Sequence, residues 1–244
     1  MRMVLSVMSL ALALAPEAGA APTPEEIDRI VLQTMQAQSV PGIAVGVVKD
    51  GKLVYARGFG VRDVQSPEPV DADTQFAIGS ITKAFTAAGL AILVDEGRLR
   101  WDDRVIDILP DFRLYDPWVT REFTVRDLLT HRSGLGPGAG DLMFVPETDF
   151  TREEIIRALR HLKPVSSFRS EFAYDNLLYA VAGEVIAEIA GKSWEDFIEA
   201  RILSRVGMDG CAVEASRSRH PTVPRPMSCR MKRCRPCPHW SCGR

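Results

Sequence analysis

A chain of 244 residues, 46% hydrophobic and 25% charged, has the balance of a soluble globular protein and the length to bury one sizeable core. Its formal net charge of −2 gives no reason to expect nucleic acid as a partner. That average hides a split: residues 211–244 carry seven Arg, one Lys and one acidic residue, Glu214, and removing their +7 from the total leaves −9 for residues 1–210. All five cysteines also lie beyond residue 210, so the preceding chain has neither a disulfide nor a thiolate metal site.

Residues 1–20 read as a signal peptide. Arg2 gives a short positive start, residues 3–15 form an apolar run, and Ala18-Gly19-Ala20 fits the small-x-small cleavage pattern. The plainer alternatives are a membrane anchor or a buried helix. The run is shorter than the ~20 residues a membrane span needs, however, and Pro16 and Glu17 follow it directly. Cleavage after Ala20 would release a periplasmic or secreted chain with no stable membrane anchor.

Thr23-Pro24-Glu25-Glu26 predicts a helix start: Thr23 can cap, Pro24 needs no N–H at the first helical position, and Glu26 can bond back. The helix should end near Gln36, before Pro41. Residues 42–48 and 52–58 are β-branched, partly alternating runs around Asp50-Gly51, a hairpin signal that puts Ile43, Val45 and Val47 on one face and Ala44 and Val48 on the other. Residues 80–96 predict a helix closed by Gly97 and apolar nearly all round, hence buried. Residues 98–149 read as short helices and loops, with Thr124 capping a helix over 125–130 and four glycines in a loop over 134–140. Three further helices are expected over 152–162, 176–190 and 194–206. Thr151 with Glu154 matches a capping box, and Ser193 with Asp196 approximates one. One helix, two strands and then mostly helices leave a sheet with too few strands to stand alone.

Two short motifs carry chemistry. In Ser80-Ile81-Thr82-Lys83, at a helix start, positions i and i+3 share a face, so the ammonium can reach the hydroxyl. A serine hydroxyl is a poor nucleophile until a base takes its proton, and a lysine in a dry apolar setting can serve as that base. The bland alternative is that Ser80 caps the helix and Lys83 sits on the surface; against it, Lys83 interrupts an apolar helix. In Tyr174-Asp175-Asn176 a phenol can pass protons and an amide can orient a substrate amide or the lysine. Alone, this tripeptide would read as a core Tyr beside a helix-capping Asn. His131 with Asp127 invites a Ser-His-Asp reading, but no Gly-x-Ser-x-Gly elbow accompanies it. No His/Glu spacing suggests a catalytic metal, and no glycine-rich loop follows a strand as a nucleotide site requires.

Ser80-x-x-Lys83 and Tyr174-x-Asn176, about ninety residues apart, resemble the serine β-lactamase-like superfamily of the class C type, with its D-alanyl-D-alanine peptidases and related esterases. Val40-Pro41-Gly42, residues 76–83, residues 128–135 and Val206-Gly207-Met208 also match, so the likeness covers about residues 24–209. It implies an α/β (α+β) fold: an antiparallel sheet flanked by helices, with a mostly helical subdomain and, in this chain, an incomplete sheet. It further implies Ser80 as acyl-enzyme nucleophile, Lys83 and Tyr174 as proton-transfer partners, Asn176 as a substrate-orienting amide, and a structural role for His131. The substrate would be a β-lactam, a D-Ala peptide or a small ester, a small-molecule or peptidoglycan-derived compound handled without cofactor or metal. The pattern sets no oligomeric state.

The superfamily's third motif, Lys or His followed by Ser/Thr and Gly on a later strand, is absent after Asn176. By resemblance that strand supplies one of two oxyanion-hole N–H groups, whose loss costs ~2.7–4 kcal/mol, or about 10²–10³ in rate. Impaired turnover is therefore expected, with a non-catalytic penicillin- or peptidoglycan-binding module, or an inactive remnant, as the alternatives. Residues 21–210 read as a partial hydrolase domain. Residues 211–244, without Leu, Ile or Phe, read as an unstructured, out-of-frame tail. Cys229, Cys234, Cys237, His239 and Cys242 are too crowded for the usual zinc spacing, and a basic nucleic-acid arm is out of place on an exported chain.

Overall fold

The structure, a computed structural model, describes residues 22–144 and 148–213. The signal-peptide reading and all but the first three residues of the Cys/Arg-rich tail lie outside the described residues. The described chain forms two compact units, residues 22–74 and 75–213.

The first unit opens with α1 (Pro24–Gln38), started by a complete capping box: the Thr23 hydroxyl accepts from Glu26 N and the Glu26 carboxylate accepts from Thr23 N. Its end is set by Ser39 in the left-handed region, two residues beyond the expected stop. Strands β1 (Gly42–Lys49) and β2 (Lys52–Asp63) pair antiparallel, with Ile43 opposite Phe59 and Val45 opposite Arg57. Asp50 and Gly51 both take positive φ, the backbone a tight hairpin turn needs to match strand twist. Ile43, Val45 and Val47 are half-buried while Ala44 and Val48 are exposed, as the alternation predicts. A third short strand, β3 (Ser66–Pro69), pairs with the end of β2 and gives the order β1-β2-β3. Sequence reading passes over it because Pro67 and Pro69 argue against a strand; an edge position tolerates prolines, since half its N–H groups face outward. Asp28 of α1 accepts from Tyr55 and Arg57 of β2, which ties the helix to the sheet.

Close approach within this unit requires a glycine at position 58. A Cβ there would lie 2.3 Å from the Val70 carbonyl oxygen and 2.5 Å from Asp71 N, backbone atoms that cannot rotate away. Gly58→Ala is expected to destabilise the protein by about 2 kcal/mol through this overpacking, read as a lower urea midpoint at unchanged m-value.

In the second unit a 3₁₀ turn (Gly79–Ile81) runs into α2 (Thr82–Asp95). Short helices α3 (Val105–Ile108), α4 (Pro117–Glu122) and α5 (Val125–Leu129) follow. Then come α6 (Arg152–Ala158), α7 (Leu177–Ala190) and α8 (Trp194–Ile198). The expected helix over 152–162 finishes as a 3₁₀ turn, and that over 194–206 passes into a π-helical turn, Glu199–Leu203. Thr124, Thr151 and Ser193 each accept a backbone N–H at a helix start.

The core of this unit is built around α7, whose Leu177, Leu178, Val181, Ala182, Val185 and Ile186 are at most 1% exposed. Helices α2, α5, α6 and α8 pack against it. Leu90 and Leu93 of α2 are fully buried, whereas Ile81, near the helix start, is 64% exposed. So α2 buries its middle and presents its N-terminal turn, with Ser80, to solvent. Among the described residues no helix is long and apolar enough to cross a membrane.

Candidate active site

Ser80 sits in the 3₁₀ turn that leads into α2, and Lys83 follows one turn later on the same face. Lys83 Nζ donates to Ser80 Oγ at 3.2 Å. The packing of α2 against α7 brings up the segment that precedes α7. Tyr174 OH donates to Ser80 Oγ at 2.8 Å, and Lys83 Nζ donates to Asn176 Oδ1 at 2.7 Å. All four sequence-predicted site residues therefore meet, with the exposed Ser80 hydroxyl accepting from two proton-carrying groups at once.

Asn176 is free for this because it does not cap its helix. Asp175 does that work, accepting from Leu178 N through Oδ1 at 3.0 Å. Burial raises the Asp175 carboxyl to about 6, and the Asp141 charge adds to the rise, against the helix N–H groups and Lys83. Its Oδ2 is buried and has no hydrogen-bond partner among the described residues.

His131 closes the site from behind. Its ring stacks on Tyr174 at 4.4 Å between centroids, and its Nδ1 accepts from Asp175 N at 3.1 Å. Asp127 is engaged elsewhere, by Thr124 and by both Nε and Nη2 of Arg169. The two therefore form no His–Asp pair, and His131 acts as a wall for the phenol. Burial, then the Lys83 charge, lower the His131 imidazole below its ordinary value, which favours the neutral ring. The Tyr174 phenol is lowered first by hydrogen bonding to Lys83, then by hydrogen bonding to Ser80, with the Lys83 charge adding to the effect. The Lys83 ammonium also lies 4.8 Å from the Tyr174 ring centroid and 5.3 Å from that of Tyr179, over both π faces.

Sequence reasoning missed Asp141. It enters from the glycine loop, where Gly138 N donates to the Tyr174 carbonyl at 3.1 Å and docks the loop on the site segment. Gly140 has φ 79°, and a Cβ there would lie 2.5 Å from Leu177 Cδ1, so the turn that delivers Asp141 favours glycine. The Asp141 carboxylate accepts from Asn176 Nδ2 at 3.1 and 2.9 Å. The cluster of four glycines was the one signal in the sequence.

A cavity of ≈ 410 Å³ lies between Leu114, Trp118, Leu135 and Phe168 and is lined by none of the four site residues. Its Ser133 and Asp116 side chains already accept backbone N–H groups, so convergent chemistry rather than concavity marks the site. Among the described residues no group of three His, Cys, Asp or Glu is placed to hold a metal ion.

The β-lactamase family model matches residues 27–235, most of the chain and past the Asp209–Gly210 boundary. The chain belongs to the β-lactamase family. An unguisins hydrolase, ungD, of Aspergillus violaceofuscus is 31% identical over 201 residues, 80% of this chain and 35% of that protein. Among solved structures, the octameric penicillin-binding protein homologue from Pyrococcus abyssi superposes with a TM-score of 0.66 at 34% identity, covering 76% of this chain and 43% of that one. A class C β-lactamase superposes at 0.64 and 28% identity, covering 75% and 49%. This β-lactamase-family chain thus spans about a third of the length of the first curated relative and less than half of these solved chains. Its fold is α+β, with a small antiparallel sheet and a mostly helical second unit.

Proposed function

We propose that this chain is an exported serine hydrolase that works through a Ser80 acyl-enzyme on a β-lactam, a D-Ala peptide or a small ester. The observation that carries the reading is the double hold on Ser80 Oγ, by Lys83 Nζ at 3.2 Å and Tyr174 OH at 2.8 Å. The Lys83–Tyr174 pair first gives up one proton to solvent, the Tyr174 phenol being the member whose proton is loosened. Ser80 Oγ then attacks the substrate carbonyl carbon, forming a C–O bond as the carbonyl π electrons move to oxygen, while the hydroxyl proton passes to the pair. The same pair returns a proton to the leaving group as the scissile bond breaks, and water then cleaves the ester. Asn176 orients the substrate by sharing the second hydrogen of its Nδ2. The relatives are consistent with acyl transfer: a hydrolase, a penicillin-binding protein homologue and a β-lactamase. Export rests on the signal-peptide pattern of residues 1–20 and the hydrolase domain on residues 21–210; the reading of residues 211–244 as an out-of-frame tail has against it the family match that runs to residue 235.

One sequence feature favours a second reading. Between Asn176 and Arg244 no Lys/His-Ser/Thr-Gly triplet occurs, so no residue of that stretch is assigned as a second oxyanion-hole donor. A chain that acylates and stalls would act as a binding module. Incubation with a fluorescent penicillin and, separately, a fluorophosphonate, followed by peptide mapping, tests both readings. Label on Ser80 in the native chain and none in Ser80→Ala supports the acyl-enzyme. A stoichiometric burst without steady release selects the binding module, and label that persists in Ser80→Ala overturns the assignment. A chain with no cooperative thermal transition would be the inactive remnant.

A further inference from the structure

We infer that Asp141 is a positioning residue that fixes the Asn176 side-chain amide in one orientation and so holds Lys83 against Ser80; its effect on acylation rests on the reading above, its effect on the amide does not.

A side-chain amide has an acceptor end and a donor end, and rotation by half a turn about its last bond exchanges them at almost no change in shape. Asn176 lies between two groups of opposite charge. On one side the Lys83 ammonium donates to Oδ1 at 2.7 Å. On the other the Asp141 carboxylate accepts from Nδ2 at 3.1 and 2.9 Å. In the flipped orientation the amide nitrogen would face the ammonium, donor against donor, and the amide oxygen would face the carboxylate. Both contacts would turn repulsive, so the two charges select one orientation, and they polarise the amide in the same sense.

Lys83 has three protons and no acceptor. Two of them go to Ser80 Oγ and Asn176 Oδ1, and the Tyr174 and Tyr179 rings face the same ammonium. Taking away Asp141 removes what holds Nδ2, so the amide can turn and Lys83 loses the contact that fixes its distance to Ser80. The other charged or titratable groups around Lys83, Asp175 and His131, lie behind Tyr174 and Asn176 and donate nothing to the amide. The loop that carries Asp141 is braced independently of its carboxylate, by Gly138 N to the Tyr174 carbonyl and Asp141 N to Gly138 O. Substitution of the side chain should therefore leave the loop in place.

Two variants with the same number and branching of side-chain heavy atoms as Asp separate an acceptor role from shape. Asp141→Asn keeps an oxygen that can accept from Nδ2, and Asp141→Leu does not. In the full chain, Asp141→Leu is expected to label at Ser80 with the fluorophosphonate at least ten-fold more slowly than the native chain. Asp141→Asn should stay within about three-fold, with thermal midpoints alike. Equal rates for native and Leu chains, or equal losses for Asn and Leu, would overturn the inference. A second readout does not need acylation. The Asn176 side-chain NH₂ signals, assigned by comparison with Asn176→Ala, should show slowed hydrogen exchange in the native chain and in Ser80→Ala. That protection should be lost in Asp141→Leu. If the native chain is not labelled, the acyl-enzyme reading falls while the amide signals still decide the role of Asp141: unchanged signals in Asp141→Leu refute it, and lost protection upholds it.

Discussion

Replacing Lys83 with Met is expected to slow acylation of Ser80 by about 10³-fold, within the 10²–10⁴ that a positioned proton-transfer group supplies. Met follows nearly the same path through the half-buried space as Lys but ends in a methyl group, so the bond to Ser80 Oγ at 3.2 Å and that to Asn176 Oδ1 at 2.7 Å both vanish. The hydroxyl then keeps only Tyr174, which is itself a donor to Ser80 and loses the hydrogen bond and charge that lower its phenol. Leaving Asn176 Oδ1 without the ammonium costs about 1–3 kcal/mol, so rates belong well below the thermal midpoint of the variant. Lys83→Arg separates the two ways Lys83 can act. A guanidinium keeps the positive charge but does not give up its proton, so it should rescue little if Lys83 moves protons. Rescue to within ten-fold of the native rate would assign Lys83 a purely electrostatic part. The measurement is the second-order rate of fluorophosphonate labelling for native, Met and Arg chains.

The second large effect is on stability. Asp175 is wholly buried, one of its oxygens has no partner among the described residues, and its carboxyl is raised to about 6 against an ordinary value near 3.8. The folded protein therefore binds this proton more tightly than the unfolded chain does. Between pH ~4 and ~6 the folded state carries more of it, so its contribution to stability is greatest at the acid end, falls as pH rises through that window, and is flat above it. A rise of that size corresponds to about 3 kcal/mol. Asp175→Asn keeps an oxygen for Leu178 N but cannot ionise, so this fall should be missing. Its absolute stability also reflects a buried amide NH₂ in place of Oδ2, which makes the pH dependence the discriminating quantity. From urea unfolding, stability of the variant minus that of the native chain should rise by about 2.4 kcal/mol between pH 4 and pH 7.5, the remainder of the ~3 kcal/mol lying below pH 4. The difference cancels groups common to both chains, including Asp127, whose lowered carboxyl works in the opposite direction. A difference independent of pH would mean that Asp175 is ionised in the fold at no cost.

These two residues mark the line between what was legible in the sequence and what was not. Lys83 was legible because helix periodicity puts positions i and i+3 on one face, a local rule that needs no knowledge of the rest of the chain. The capping residues Thr23, Thr124, Thr151 and Ser193 and the Asp50-Gly51 turn are legible for the same reason: each satisfies backbone groups within four residues of itself. The order of the two motifs also carried the family. Asp175 and Asn176 were not separable by such rules, since either can cap a helix, and only the fold shows that Asp175 caps while Asn176 turns to Lys83. Tyr174 meets Ser80 across 94 positions of sequence because α2 packs on α7, and Asp141 meets Asn176 because a glycine loop docks on the Tyr174 carbonyl. His131 and Asp127 share a helix turn and its end, yet tertiary packing sends one to Tyr174 and the other to Arg169. The sequence by itself determined most of the elements, the pairing of Ser80 with Lys83, and the family. Tertiary structure decided which polar side chains converge and how burial sets their charge, because convergence and desolvation depend on packing between distant segments that leaves no periodic trace in either one.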